Sequence, residues 1–152
     1  MDVEKKALWD EINFHSKSFE SAIDPLERKR TGSYYTDLFL TDVMMKELIQ
    51  CMKNQSRDFT ACRFLEPCVG TGNFVFSYLN ELSILSLSTD NYSAILDNIY
   101  VADINEAALI KYRNMLKKFA YVYWGINLDA DYFQKHMGKG LLIDVSADDL
   151  RY

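Results

Sequence analysis

Several of the features that mark whole protein classes are scarce in this chain. Its 152 residues hold three cysteines, two prolines and six glycines. So little proline and glycine, with 49% hydrophobic and 14% aromatic residues, excludes collagen-like, coiled-coil and disordered chains. Cys51, Cys62 and Cys68 are odd in number and lack the close Cys-x-x-Cys pairing of zinc or redox centres, so they read as reduced, mostly buried thiols. His15 and His136 lie far apart with no third ligand nearby, and no metal is expected. No apolar run approaches the roughly 20 residues that span a bilayer. The start, Met1-Asp2-Val3-Glu4-Lys5-Lys6, mixes charges where a secretory leader is basic and then apolar. A cytoplasmic location and no membrane partner follow as expectations. Positive charge is also short: 17 basic against 22 acidic side chains leave −5, which excludes a uniformly cationic nucleic-acid coat. The one basic run, Arg28-Lys29-Arg30, fits a solvated helix end beside the C-terminal dipole better than a phosphate contact.

The length suits one domain with a real core. Val3, Ala7, Leu8, Ile12, Phe19, Ala22, Ile23 and Leu26 recur at three- and four-residue steps, predicting a helical region broken once or twice. Asp24-Pro25-Leu26-Glu27 carries a cap, a proline at the first helical position and a glutamate three after the cap, so a short helix starts there and ends near Gly32. After a loop over 32–36, Met44, Met45, Leu48, Ile49 and Met52 form another helical stripe, with Thr41 as its expected N-cap. Residues 53–60 read as a polar loop.

Beyond it the pattern becomes strand, glycine turn, helix: an apolar run over 62–65, then Gly70-Thr71-Gly72-Asn73, then periodic apolar residues over 74–85. A Ser/Thr/Asn-rich connector covers 86–93. Residues 99–102 form a second strand ending at Asp103, and a helix follows over 107–119. Tyr121 to Trp124 and Tyr132-Phe133 read as a helical, aromatic excursion that packs and does not stack bases. Residues 140–145 are the third strand. Strands alternating with helices imply a parallel sheet with right-handed crossovers and a helical cap before it. Ligands of such sheets bind outside the carboxyl ends of the strands, which would gather the Gly70 loop, Asp103 and the acids Asp144, Asp148 and Asp149 at one edge.

Two glycines between a strand and a helix permit a tight turn and close backbone approach to a ligand, with free N–H groups at the helix start. The pair fits neither common nucleotide signature. The dinucleotide fingerprint wants a third glycine where Val75 stands and an acid about 20 residues on, whereas Asp103 lies 103 − 72 = 31 positions away. The P-loop wants a lysine after the second glycine, and Asn73-Phe74 follow.

Glu66-Pro67-Cys68-Val69-Gly70-Thr71-Gly72-Asn73-Phe74 instead resembles the first motif of N6-adenine DNA methyltransferases, Asp/Glu-Pro-x-x-Gly-x-Gly-x-Phe. Gly32-Ser33-Tyr34-Tyr35-Thr36 resembles the same family's Gly-x-Tyr-Tyr-Thr-Pro segment, with Asp37 in place of the proline. Val101-Ala102-Asp103-Ile104-Asn105 resembles the second motif. The likeness spans roughly 28–150 and is closest to the methylation subunit of Type I, and the methylase portion of Type IIG, restriction-modification systems.

That resemblance implies an α/β fold: a partial Rossmann-like S-adenosylmethionine-dependent methyltransferase sheet, its first three parallel strands preceded by a helical N-terminal cap. The cap would cover 1–58 and the cofactor-binding domain would begin over 59–152. It implies that S-adenosyl-L-methionine binds at Tyr34, Tyr35, Thr36, Glu66, Pro67, Gly70, Gly72, Asn73, Phe74, Asp103 and Ile104. Asp103 would receive both ribose hydroxyls and Glu66 would reach toward the methionine ammonium. The acid for the adenine amino group would be Asp148, with Asp144 as the competing choice. Without the resemblance, Asp103 reads as an ordinary N-cap for the helix that follows and Glu66 as a surface acid. The family's catalytic Asn/Asp-Pro-Pro-Tyr/Phe segment has no counterpart, since the only prolines are Pro25 and Pro67. The chain is therefore expected to be the cofactor-binding part of a longer or split enzyme, inactive alone. DNA would be bound through parts missing from this chain. The partners would be the remaining methyltransferase domain or a specificity or restriction subunit, with self-association through the unpaired first strand. Methylation of RNA or of protein glutamine, and a non-catalytic chain that binds a partner subunit, are the alternatives.

Overall fold

A computed structural model describes residues 2–31 and 35–137. Helix α1 (Val3–Ala22) starts at Asp2, whose side chain accepts from the Glu4 N–H, and buries Leu8, Ile12 and Ser16 at steps of four. The single break comes at 23–24, and α2 (Pro25–Thr31) begins where expected, with Asp24 Oδ1 accepting the Leu26 N–H at 2.9 Å. Helix α3 (Leu38–Asn54) is capped by Asp37, which accepts from the Phe39 N–H at 2.9 Å. Thr41 is therefore not the cap. It lies fully buried inside the helix, its Oγ1 bonded to the Leu38 carbonyl and 2.8 Å from Ser77 Oγ.

Strand β1 (Phe64–Glu66) and strand β2 (Ile99–Val101) pair in parallel, with Leu65 opposite Tyr100. Both are shorter than expected, and β1 begins two residues later. Among the described residues the chain is α/β and mostly helical, with this two-stranded sheet. The expected third strand over 140–145 lies outside the described residues. What the structure does have is a parallel bridge from Val101 to Met137, on the side of β2 away from β1.

Helix α4 (Asn73–Ser83) is the hub. Val75, Phe76, Leu79 and Leu82 are fully buried, with α3 packed along it. The connector expected over 86–93 instead contains the start of α5 (Thr89–Leu96), capped by Ser88 and buried through Tyr92, Ile95 and Leu96. Helix α6 (Glu106–Trp124) packs on α1 and absorbs Tyr121 to Trp124 as its last turn, stopping at Gly125 with φ +70°. Helix α7 (Ala130–His136) carries Tyr132 and Phe133. Of these aromatics all but Tyr121 pack as expected: Phe119 stacks on Tyr123 at 3.9 Å and Tyr92 on Trp124 at 4.4 Å between centroids, whereas Tyr121 is exposed, pointing off the outer face of the last turn.

The cysteines overturn the expectation of burial. Cys51 and Cys68 are exposed and Cys62 is half-buried, all as free thiols. Cys51 sits on the outward face of α3 and Cys68 in the turn after β1, where no packing partner covers a small side chain. No helix among the described residues is long and apolar enough to cross a membrane.

Candidate functional site

The loop between β1 and α4 is laced to the end of β2. The Ala102 N–H donates to the Glu66 carbonyl and the Val69 N–H to the Ala102 carbonyl, both at 2.9 Å. Just beyond, the Asp103 carboxylate accepts the Gly70 N–H at 2.7 Å through Oδ2 and the Asn105 N–H at 2.8 Å through Oδ1. One carboxylate thus ties the first glycine of the loop to the start of α6, whose cap is Asn105 and not Asp103. A carboxylate offers about four acceptor positions, so both oxygens can still accept a further donor.

The two glycines are required by geometry. Gly70 has φ +53°, and a Cβ there would lie 2.4 Å from the Tyr35 ring. Gly72 has φ +99°, and a Cβ would lie 2.6 Å from the rings of Phe76 and Tyr112. Gly72 also leaves α4 without a side-chain cap, so the first-turn N–H groups keep their affinity for an acceptor.

Tyr35 lies against Gly70 and meets Phe19 edge to face at 5.8 Å. Burial, then the nearby charges of Asp103 and Glu20, push its phenol up to about 12. Asn73 holds the neighbouring backbone, its Nδ2 donating at 2.8 Å to the Thr36 carbonyl and to Ser16 Oγ. A carbonyl can only accept, so the amide orientation is fixed and Oδ1 points away, buried and unpartnered among the described residues. Thr71 Oγ1 is buried and unpartnered in the same way. Such groups each cost about 1–3 kcal/mol when left unsatisfied.

The structure therefore brings Tyr35, Thr36, Gly70, Gly72, Asn73 and Asp103 together. Glu66 turns back on its own loop, its Oε1 accepting the Cys68 N–H at 3.0 Å. Phe74 packs partly buried against the core, while Pro67 and Ile104 are exposed. Tyr34, Asp144, Asp148 and Asp149 lie outside the described residues. Sequence reasoning missed Ser16, whose place four residues after Ile12 on a buried stripe was the available signal, and missed that Asn73 clamps the Thr36 segment. Among the described residues no group of three His, Cys, Asp or Glu side chains is placed to hold a metal ion. No family model matches the chain, and no curated protein or solved structure does.

Proposed function

We propose that this chain is the S-adenosyl-L-methionine-binding part of an N6-adenine DNA methyltransferase belonging to a restriction-modification system. The observation that carries the reading is the bond from the Gly70 N–H to Asp103, which joins the two motif residues across the sheet edge with Tyr35 lying over the same glycine. Three segments that resemble one family in sequence are thereby contiguous.

The residues fit the cofactor. Asp103 keeps acceptor capacity for two ribose hydroxyls, a charge-assisted fork worth about 1.5–3 kcal/mol per bond. The uncapped start of α4 suits close approach of a polar ligand, and Gly70 and Gly72 admit the Tyr35, Phe76 and Tyr112 rings against the loop that would hold it. Asn73 acts as a positioning residue, fixing the Thr36 backbone that would line the methionine end with Tyr34 and Tyr35. Asp148, or Asp144, would accept from the adenine amino group, and Glu66, Pro67, Phe74 and Ile104 would complete the walls. When bound, the cofactor supplies the electrophilic methyl group. Orienting an adenine amino group toward it needs the Pro-Pro-Tyr/Phe segment of the family, which this sequence does not contain, so DNA and the catalytic segment are assigned to other polypeptide.

Calorimetry with S-adenosylhomocysteine tests the reading. Saturable binding is expected, weakened about tenfold or more by Asp103→Ala. Because Asp103 also ties Gly70 to Asn105, the decisive comparison uses an analogue lacking the ribose hydroxyls. It should bind wild type about tenfold more weakly and lose less in the variant than the parent compound does. An analogue that binds wild type as well as the parent compound would remove the ribose assignment.

A further inference from the structure

A concavity opens between α1 and α6, lined in part by Thr71 of the glycine loop. It is a cleft of about 420 Å³, within the range of small-molecule sites. Its floor is buried and largely apolar, made by Ile12, Met115 and Thr71 at 2%, 7% and 6% exposure. Thr71 is the residue between the two glycines, and its hydroxyl is the unpartnered one described above. The rim carries Lys111, Asn114 and Lys118 from α6, at positions i, i+3 and i+7, and Glu11 and His15 from α1.

The charges on the rim are not equivalent. Lys118 hydrogen-bonds Glu11, which is also 3.5 Å from His15 Nε2, and that bond to Lys118 holds the Glu11 carboxyl below its ordinary range. Lys111 has no carboxylate within ion-pair distance among the described residues. Its Nζ stands 5.6 Å from the centroid of the Phe19 ring, the ring that also meets Tyr35. Two ammonium groups against one carboxylate leave a single positive charge in excess, His15 aside. A dianion would overcompensate it and approach Glu11 at a cost, whereas a monoanion balances it. The apolar floor wants an aliphatic body attached to that charge.

We propose that the α1–α6 cleft binds a small aliphatic carboxylate, its carboxylate held by Lys111 and Asn114 and its tail lying on Ile12 and Met115 over Thr71. The site is separate from Asp103 and stands whether or not a ribose binds there. It touches the loop at Thr71, next in the chain to the Gly70 that Asp103 holds.

The test is an amide-resolved NMR titration of the full chain with hexanoate, with acetate and inorganic phosphate alongside at matched ionic strength. Saturable shifts centred on Thr71, Lys111 and Asn114 are expected, with acetate weaker by at least about tenfold through loss of its tail. Lys111→Gln, an exposed substitution that spares the core, should weaken hexanoate about tenfold. Unsaturable shifts, phosphate binding as tightly as hexanoate, or unchanged hexanoate affinity in Lys111→Gln would each overturn the proposal.

Discussion

At the residue scale, the site depends on two positions where a side chain has no room. A Cβ at Gly72 would meet Phe76 and Tyr112, both essentially fully buried, at 2.6 Å, and the backbone there has φ +99°. Gly125 shares the positive φ, at +70°, but has nothing within 4 Å of a Cβ. The pair separates backbone strain from steric conflict. Gly125→Ala should cost about 1–2 kcal/mol for the left-handed conformation alone. Gly72→Ala should cost about 1–3 kcal/mol more, because two core rings must move. Urea denaturation of both variants measures the difference, and equal losses would mean that α4 shifts freely at its first turn. Gly70 differs again: its obstacle is the half-buried Tyr35 ring, at 2.4 Å. Gly70→Ala should therefore displace the Tyr35 segment and weaken the proposed cofactor binding more than it lowers stability, as paired calorimetry and denaturation would show.

At the element scale, α7 is held against the sheet edge by a titratable group. His136 is buried at 3% exposure, stacks on Tyr132 at 4.5 Å and lies 5.4 Å from Tyr100. Burial pushes its pKa below 6.5, with Lys135 adding to the effect; Asp97, 3.5 Å from Nε2, opposes it. The unfolded chain then takes up the proton first as pH falls through 6.5, so this contribution to stability is present above that value and is lost on acidification toward the lowered pKa. Melting temperature should be level above about pH 7 and begin to fall as pH drops through 6.5, above the carboxylates' ordinary range. His136→Phe should flatten that fall. A wild-type profile with no slope there would show that α7 does not depend on the neutral ring. The elements themselves were unequally legible. The periods of α1, α3, α4 and α6 and the two strands stand out because long apolar stripes and a glycine turn leave few alternatives. Helix α5 was hidden because its eight residues open with Thr89, Asp90 and Asn91, a composition shared by loops, and only Tyr92, Ile95 and Leu96 mark its buried side. Asp37 displaced Thr41 as a cap because a carboxylate one position before Leu38 reaches the free N–H groups first. In the site, the likeness of three segments pointed to Tyr35, Gly70 and Asp103. The bond between residues 33 apart in the chain, and the Asn73 clamp, needed the folded geometry.

At the scale of the whole molecule, two consequences concern what the chain does alone. On the reading proposed above, purified chain should incorporate no tritiated methyl group into DNA, because the sequence holds no Pro-Pro-Tyr/Phe segment to grip an adenine. Incorporation above background would overturn the division of labour proposed here. The second consequence concerns the sheet. In a parallel ladder alternate residues bond to opposite neighbours. Phe64 and Glu66 bond toward β2, through the Phe64 N–H to Asn98 and the Glu66 carbonyl to Ala102. The backbone groups of Leu65 therefore face the other edge, where no described strand lies. Its side chain is 65% exposed, and α3 separately exposes Leu40, Met44 and Leu48 at steps of four, by 50%, 45% and 39%. An open edge bearing an exposed leucine invites pairing with another chain, since an unmet buried backbone group costs about 1–3 kcal/mol. Self-association at about tens of micromolar is the expected outcome, read by light scattering during size exclusion. Phe64 is the wrong place to test it, because its ring stacks on Tyr78 at 4.7 Å and a charge there would damage the core. Leu65→Lys leaves that stack intact and should restore a monomer. A monomeric wild type would show that the edge is already protected. Association that survives in folded Leu65→Lys but disappears in Met44→Lys would move the interface from the strand to α3.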